Sequence, residues 1–174
     1  MLMKNISIKT TRLLLRPFAL SDLDDLQEIF GDAQVMEYVE PPYTRERTEA
    51  FLRDFCVDQG KTFAVARKTD GKLVGYLLFK PYGEPEVYEL GWIFNRSCWR
   101  QGYAYEACSA LRDYAFRTAG AHKLFAETID PVKSAGLMRK LGMRPEGVQR
   151  QQVRNSLGAW ADLYFYGLLR DDLK

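Results

Sequence analysis

Between Glu86 and Ala119 the residue pattern changes period once, and that change dictates much of what the chain can become. From Glu86 to Phe94 it alternates, with Tyr88, Leu90, Trp92 and Phe94 on one face and Val87, Glu89, Gly91 and Ile93 on the other, as in a strand. From about Tyr103 to Ala119, Ala104, Ala107, Leu111, Tyr114, Ala115 and Thr118 recur close to the 3.6-residue period of a helix. Lys123 to Ile129 then reads as another strand. A strand, a covering helix and a strand in that order form a crossover that leaves the two strands parallel. The connecting loop carries Arg96 and Arg100, and no carboxylate follows until Glu106. Gly102 opens the helix. Loop amides, helix-start amides and the positive end of the helix dipole converge there, and glycine lets a ligand approach the backbone. Such a place suits a phosphate or pyrophosphate, although a glycine at a helix start also serves the turn alone.

The rest of the chain supplies the partners for this crossover. Arg12 to Phe18 reads as a first strand. Ser21 is the expected N-cap of a helix with Asp22, Asp24 and Asp25 in its first turn, burying Leu23, Leu26, Ile29 and Phe30 before Gly31. A second helix starts near Thr44 and runs to Gly60. Thr62–Arg67 and Leu73–Lys80 flank Asp70-Gly71, a strong hairpin signal. A short helix spans about Val132 to Leu141, ended by Gly142. Arg144–Arg154 and Trp160–Leu169 flank a turn at Asn155 to Gly158. The predicted fold is a mixed α/β (α+β) domain with a mainly antiparallel sheet, one parallel pair and flanking helices. The chain, 1–174, reads as one domain with its core at about 8–170.

A net charge of +2 without Lys or Arg runs argues against nucleic-acid binding. No apolar span reaches membrane-helix length, and the first residues lack a signal-peptide core. Cys56, Cys98 and Cys108 show no framework spacing, which fits a reducing cytoplasm. The pattern specifies no oligomeric state.

Taken in order, TTRLLLRPFALSDLDDL, LVGYLLF, ELGWIF, WRQGYAYEACSALRDYAF, DPVKSAGLMRKLGMRPEG and ADLYFYGLL resemble the GCN5-related N-acetyltransferase (GNAT) superfamily over nearly the whole chain. More narrowly they resemble its ribosomal-protein alanine N-acetyltransferase branch. The resemblance implies a parallel pair splayed around acetyl-coenzyme A (acetyl-CoA) as co-substrate, with no metal. It places the pyrophosphate on the backbone of Arg100, Gln101, Gly102, Tyr103 and Ala104, with the Arg100 side chain adding a contact. It sets the pantetheine arm against the strand end Ile93, Phe94 and Asn95, and the oxyanion on an N–H near Ile93 or Phe94. The pattern departs at Trp99, where the family has Gln or Arg, at Pro131, where the branch has asparagine, and at Met138, where the wider superfamily has tyrosine. Ser134 matches the branch's serine, contacts the cofactor by resemblance, and lies one turn before Met138 on the same face.

The implied reaction is direct attack of a primary amine, on a protein N-terminus or a small molecule, upon a thioester. Glu89 is the general-base candidate, acting through water, and reads equally as a solvated or ion-paired strand residue. Ser134 reads either as proton donor to the leaving sulfur or as a helix cap. A thiolate, with a reference pKa of ~8.5, needs only a weak donor. Trp92, Trp99 and Tyr103 read as packing aromatics. Cys98 with His122 as base would give an acyl-enzyme, but nothing in the sequence places them together. Asp32, Glu37 and Glu40 fall on a loop that, by resemblance, borders the acceptor groove, where they would draw in a cationic amine; the acids before them read as a solvated helix face. Two other classes remain: a non-catalytic acyl-CoA-binding module of the same fold, and a phosphate-binding protein for another nucleotide.

Overall fold

The computed structural model describes residues 6–173. Its strands are β1 (Ile8–Lys9), β2 (Leu13–Arg16), β3 (Thr62–Arg67), β4 (Leu73–Pro81), β5 (Val87–Phe94), β6 (Lys123–Thr128), β7 (Arg144–Arg154) and β8 (Trp160–Leu169). The α-helices are α1 (Leu23–Phe30), α2 (Arg45–Phe51), α3 (Tyr103–Arg117) and α4 (Lys133–Lys140). All eight strands form one sheet in the order β1-β2-β3-β4-β5-β6-β8-β7. Neighbours are antiparallel except β5 and β6, which run parallel on either side of the α3 crossover.

α1 buries Leu26, Ile29 and Phe30, as its periodicity demands, but Ser21 does not cap it. A 3₁₀ turn over Leu20–Asp22 precedes the helix, and the Asp22 carboxylate accepts the Ala19 N–H at 2.8 Å and two Arg16 guanidinium bonds at 2.8 and 2.7 Å. A charge-assisted fork from β2 outcompetes a lone hydroxyl for this corner. The α2 reading holds at its start, where Thr44 Oγ1 accepts the Arg47 N–H at 3.3 Å. It does not continue as an α-helix to Gly60: Leu52–Asp58 widens into π-helical turns that bury Leu52 and Cys56.

One face of the sheet carries α3 and α4. Ala107, Leu111 and Ala115 of α3 and Met138 of α4 pack there against Leu13, Leu15, Phe63, Leu90 and Phe94. The other face carries α1, α2 and the π-helical turns over β3 and β4, around Phe30, Ala64 and Tyr76. Their cover stops at Leu78 and Ile93. Among the described residues no helix covers that face over β6, β8 and β7. This asymmetry leaves one side of the β5–β6 junction without a helix.

Candidate active site

Along their length β5 and β6 pair at Val87↔Lys123, Tyr88↔Leu124 and Glu89↔Phe125, and then part. Which backbone groups face the gap follows from the β4–β5 register. The Tyr82 N–H donates to the Val87 carbonyl at 3.0 Å, and the Asn95 N–H donates to the Val74 carbonyl at 2.9 Å. Odd-numbered residues of β5 therefore bond β4, and even-numbered ones face β6. The His122 N–H, bonded to the Glu86 carbonyl at 2.8 Å, fits the same alternation. Leu90, Trp92 and Phe94 thus turn their backbone groups into the gap where β6 has left. The Phe94 carbonyl there accepts the Trp99 indole N–H at 3.0 Å. This shifts the expected arm partners: Phe94 faces the gap, whereas Ile93 and Asn95 face β4. Buried Asn95 builds the next turn instead, accepting the Ser97 N–H at 3.0 Å and the Ser97 hydroxyl at 2.7 Å.

At the mouth of the gap the loop tightens into a backbone cradle. Arg100 and Gly102 both have positive φ, at 60° and 82°, and Tyr103 begins α3. A Cβ added to Gly102 would meet only an Arg12 guanidinium nitrogen, at 3.4 Å, so the approach to these amides is open. Arg12 is one residue that the sequence pattern does not single out. Its guanidinium donates to the Gln101 carbonyl at 2.9 Å, sits 4.3 Å from the Tyr103 ring centroid and pairs with Glu106 at 2.7 Å. Burial alone would raise the Glu106 pKa, but the Thr10 hydroxyl and the Arg12 bonds hold it below the ordinary carboxylate range. Arg12 thus offsets the one carboxylate in the first turn of α3 and keeps the helix start attractive to an anion. Arg96, expected to add charge here, instead pairs with Asp32 at 2.8 Å and with Gln34 at 3.0 Å. Arg100 is exposed, and no ion pair engages it among the described residues. Ala104 is half-buried against the α3 core.

Glu89 lies where the strands part, on the face away from α3. Its side chain is only 13% exposed and pairs with Lys80 across the β4–β5 ladder at 2.8 Å. Glu127, on β6 beyond Phe125, shares that face. Although Glu127 keeps exposed surface, burial raises its pKa first and the Glu89 charge raises it further, while Lys80 pulls it down. Two carboxylates and one ammonium therefore share this edge, and only Glu89 had been singled out from the sequence.

On the far arm of the gap, Ser134 is half-buried in the first turn of α4. It is not the cap: buried Asp130 accepts the N–H groups of Val132, Lys133 and Ser134 at 2.9, 3.0 and 3.2 Å. Met138 is buried in the core. Lys133 of α4 reaches towards Trp99 and Tyr38, 5.5 and 5.7 Å from their rings, so three separate elements meet at the mouth.

Cys98 is buried beyond the end of β5, whereas His122 bonds Glu86 before its start, roughly 27 Å away for an eight-residue strand. The acyl-enzyme pairing is thereby excluded. Of the acidic loop residues, Asp32 holds Arg96 and Glu40 holds Arg47 and Tyr43. The α1 acids are not merely solvated: Asp24 holds Arg45, Asp25 accepts the Leu73 N–H, and Glu28 pairs with Lys72. Among the described residues no group of three or more His, Cys, Asp or Glu side chains forms a metal site, and no helix is long and apolar enough to cross a membrane.

A family model described as "Acetyltransferase (GNAT) domain" matches residues 12–144. The uncharacterized N-acetyltransferase YnaD of Bacillus subtilis (strain 168) is 33% identical over 168 residues, covering 95% of this chain and 98% of that protein. The crystal structure of a GNAT-family acetyltransferase from Bacillus anthracis superposes with a TM-score of 0.87 at 32% identity, over 95% of this chain and 99% of that one. Mycobacterium smegmatis RimJ in complex with CoA-disulfide shares the fold, with a TM-score of 0.79 at 19% identity over 97% of this chain and 89% of that one. A parted parallel strand pair, a glycine-opened helix at its mouth and these likenesses agree: the chain belongs to the GNAT family of acetyltransferases.

Proposed function

We propose that this enzyme transfers the acetyl group of acetyl-CoA directly to a primary amine, on a protein N-terminus or a small molecule. The observation that carries this reading is the parting of β5 from β6 directly above Glu89, with the Gly102 turn at its mouth. A diphosphate fits the turn because its amides open outward and Arg100 is free to approach. The amide-bearing arm of the same molecule fits the gap because Leu90, Trp92 and Phe94 offer backbone groups there. CoA-disulfide bound to RimJ, which has the same fold, agrees with this choice of donor. We therefore assign the cradle to Arg100, Gln101, Gly102, Tyr103 and Ala104, and the arm to Phe94 with Trp92 and Leu90.

Acetyl-CoA supplies an activated thioester, and the new C–N bond forms as the C–S bond breaks. The chain's own residues handle the protons. Glu89, held in place by Lys80, takes the amine proton through water, and Glu127 shares the charge on that edge. N–H groups of Trp92 or Phe94 face the carbonyl oxygen. Ser134, freed from capping by Asp130, donates to the departing sulfur. An α-amine, with a reference pKa of ~7.7–8.0, suits a modest base better than a lysine amine at ~10.4. The single sheet supports treating the chain as one domain, and buried free cysteines suit the cytoplasm. A thiol-release assay with a panel of amines tests the reading. Release that depends on the amine supports it, and tight acetyl-CoA binding without such release contradicts it.

A further inference from the structure

The sheet face left without a helix holds a solvent-open cavity of about 450 Å³ next to the proposed point of transfer. Its apolar wall is Val87, Phe125, Phe165 and the ring of Tyr82, with the Lys123–Glu146 ion pair, at 2.7 Å, on its rim. Its position follows from the register. Val87 precedes Glu89 by two residues on β5, Phe125 pairs with Glu89, and Phe165 pairs with Glu127. All of them therefore share the face of the two carboxylates. Within that wall the rings of Tyr82 and Phe125 approach to 4.4 Å. The wall reaches Glu89 through its cross-strand neighbour Phe125, and at about 3.4 Å per residue Val87 lies ~7 Å further down β5. Above the carboxylates, the face is bridged by the Ser156 hydroxyl, which donates to the Glu37 carbonyl at 2.7 Å and ties the β7–β8 turn to the loop after α1. An acceptor seated at Glu89 is therefore bounded above and has apolar room below.

We propose that this cavity is a subsite for the acceptor and takes a compact apolar group, aromatic or branched, about three bonds from the reacting nitrogen. The proposal rests on the reading of Glu89 as the point of transfer. Its volume lies within the range of small-molecule sites, and the apolar wall rewards a hydrocarbon group more than a polar one. The acceptor is then a primary amine such as an arylalkylamine, or a peptide whose first side chain is apolar.

The test compares 2-phenylethylamine, ethylamine and phenylalanyl-alanine as acceptors, and follows backbone amide shifts as each is titrated. The expected result is a kcat/KM at least tenfold higher for 2-phenylethylamine than for ethylamine, with amide shifts centred on Val87, Phe125 and Phe165. Gln149→Trp, on exposed β7, narrows the cavity and should cut that ratio about tenfold. Phenylalanyl-alanine matching the free amine would identify a peptide source, and lagging far behind it a small-molecule source; the subsite stands in both. Equal kcat/KM for the two simple amines would overturn the subsite while leaving acetyl transfer intact. Shifts at Val87 and Phe125 with no acetylated product would uphold the subsite and overturn acetyl transfer.

Discussion

The proposed proton chemistry rests on Lys80, Glu89 and Glu127, and each can be displaced by itself. Glu89→Gln should lower kcat/KM at pH 7 by tenfold or more with little change in acetyl-CoA affinity. Glu127→Gln removes a like charge, so the acid limb of the pH–rate profile should move to lower pH. Lys80→Met removes the opposite charge, and the limb should move to higher pH. A limb unmoved by both would show that another group is the base. Linkage supplies a second sign. A carboxyl whose folded pKa is raised favours the fold below its unfolded value and loses that advantage as pH rises through the folded pKa. Glu127→Gln should therefore raise the melting temperature at pH 7 and leave it nearly unchanged near pH 4. Glu89 was legible as a carboxylate on the right strand face. Its pairing with Lys80 and the closeness of Glu127 were not, because both depend on strand register and on a neighbour brought in by the crossover.

At the level of elements, the loop between β5 and α3 works because Arg12 of the N-terminal segment clasps it. Gly102→Glu puts a carboxylate and bulk into the cradle and should abolish acetyl-CoA binding, read by calorimetry, with the fold intact. Arg12→Ala should weaken binding several-fold and cost about 1 kcal/mol, because its partner Glu106 is only partly buried. Unchanged affinity in either variant would contradict the cradle's location. The glycine, the loop and the amphipathic helix could be read from local pattern alone. Arg12 could not, since it lies 94 residues from Glu106 in the chain and a contact of that kind has no local signature. The same holds for Asp130: it caps α4 from the strand end, in a stretch where Ser134 looked the natural cap. Asp130→Ala should destabilise the protein by about 1–2 kcal/mol in denaturant unfolding and slow turnover by shifting Ser134.

Across the whole molecule, two unequal layers make the site. The α3 side is closed by a continuous core, so Leu111→Ala should cost ~2–5 kcal/mol while leaving the kinetics of the surviving fold nearly unchanged. The opposite side is half covered, and the proposed acceptor route uses that opening. Alternation along β5, the Asp70-Gly71 turn and the runs flanking the Asn155–Gly158 turn made most of the sheet legible. One exception inside it is Gln151, which has φ 48° in a bulge of β7 and donates its N–H to Asp162 at 2.8 Å. The π-helical turns after α2 also escaped, because their buried residues Leu52 and Cys56 lie four apart, a spacing that an α-helix shows as well. The parting of β5 from β6 was expected only by resemblance; no residue type in either strand announces it. It is also the feature on which the proposed donor binding rests. Amide hydrogen exchange with and without acetyl-CoA reads it most directly: protection should rise at Leu90, Trp92, Phe94 and Gly102 when acetyl-CoA is bound, and protection gained elsewhere with these four unchanged would contradict the account.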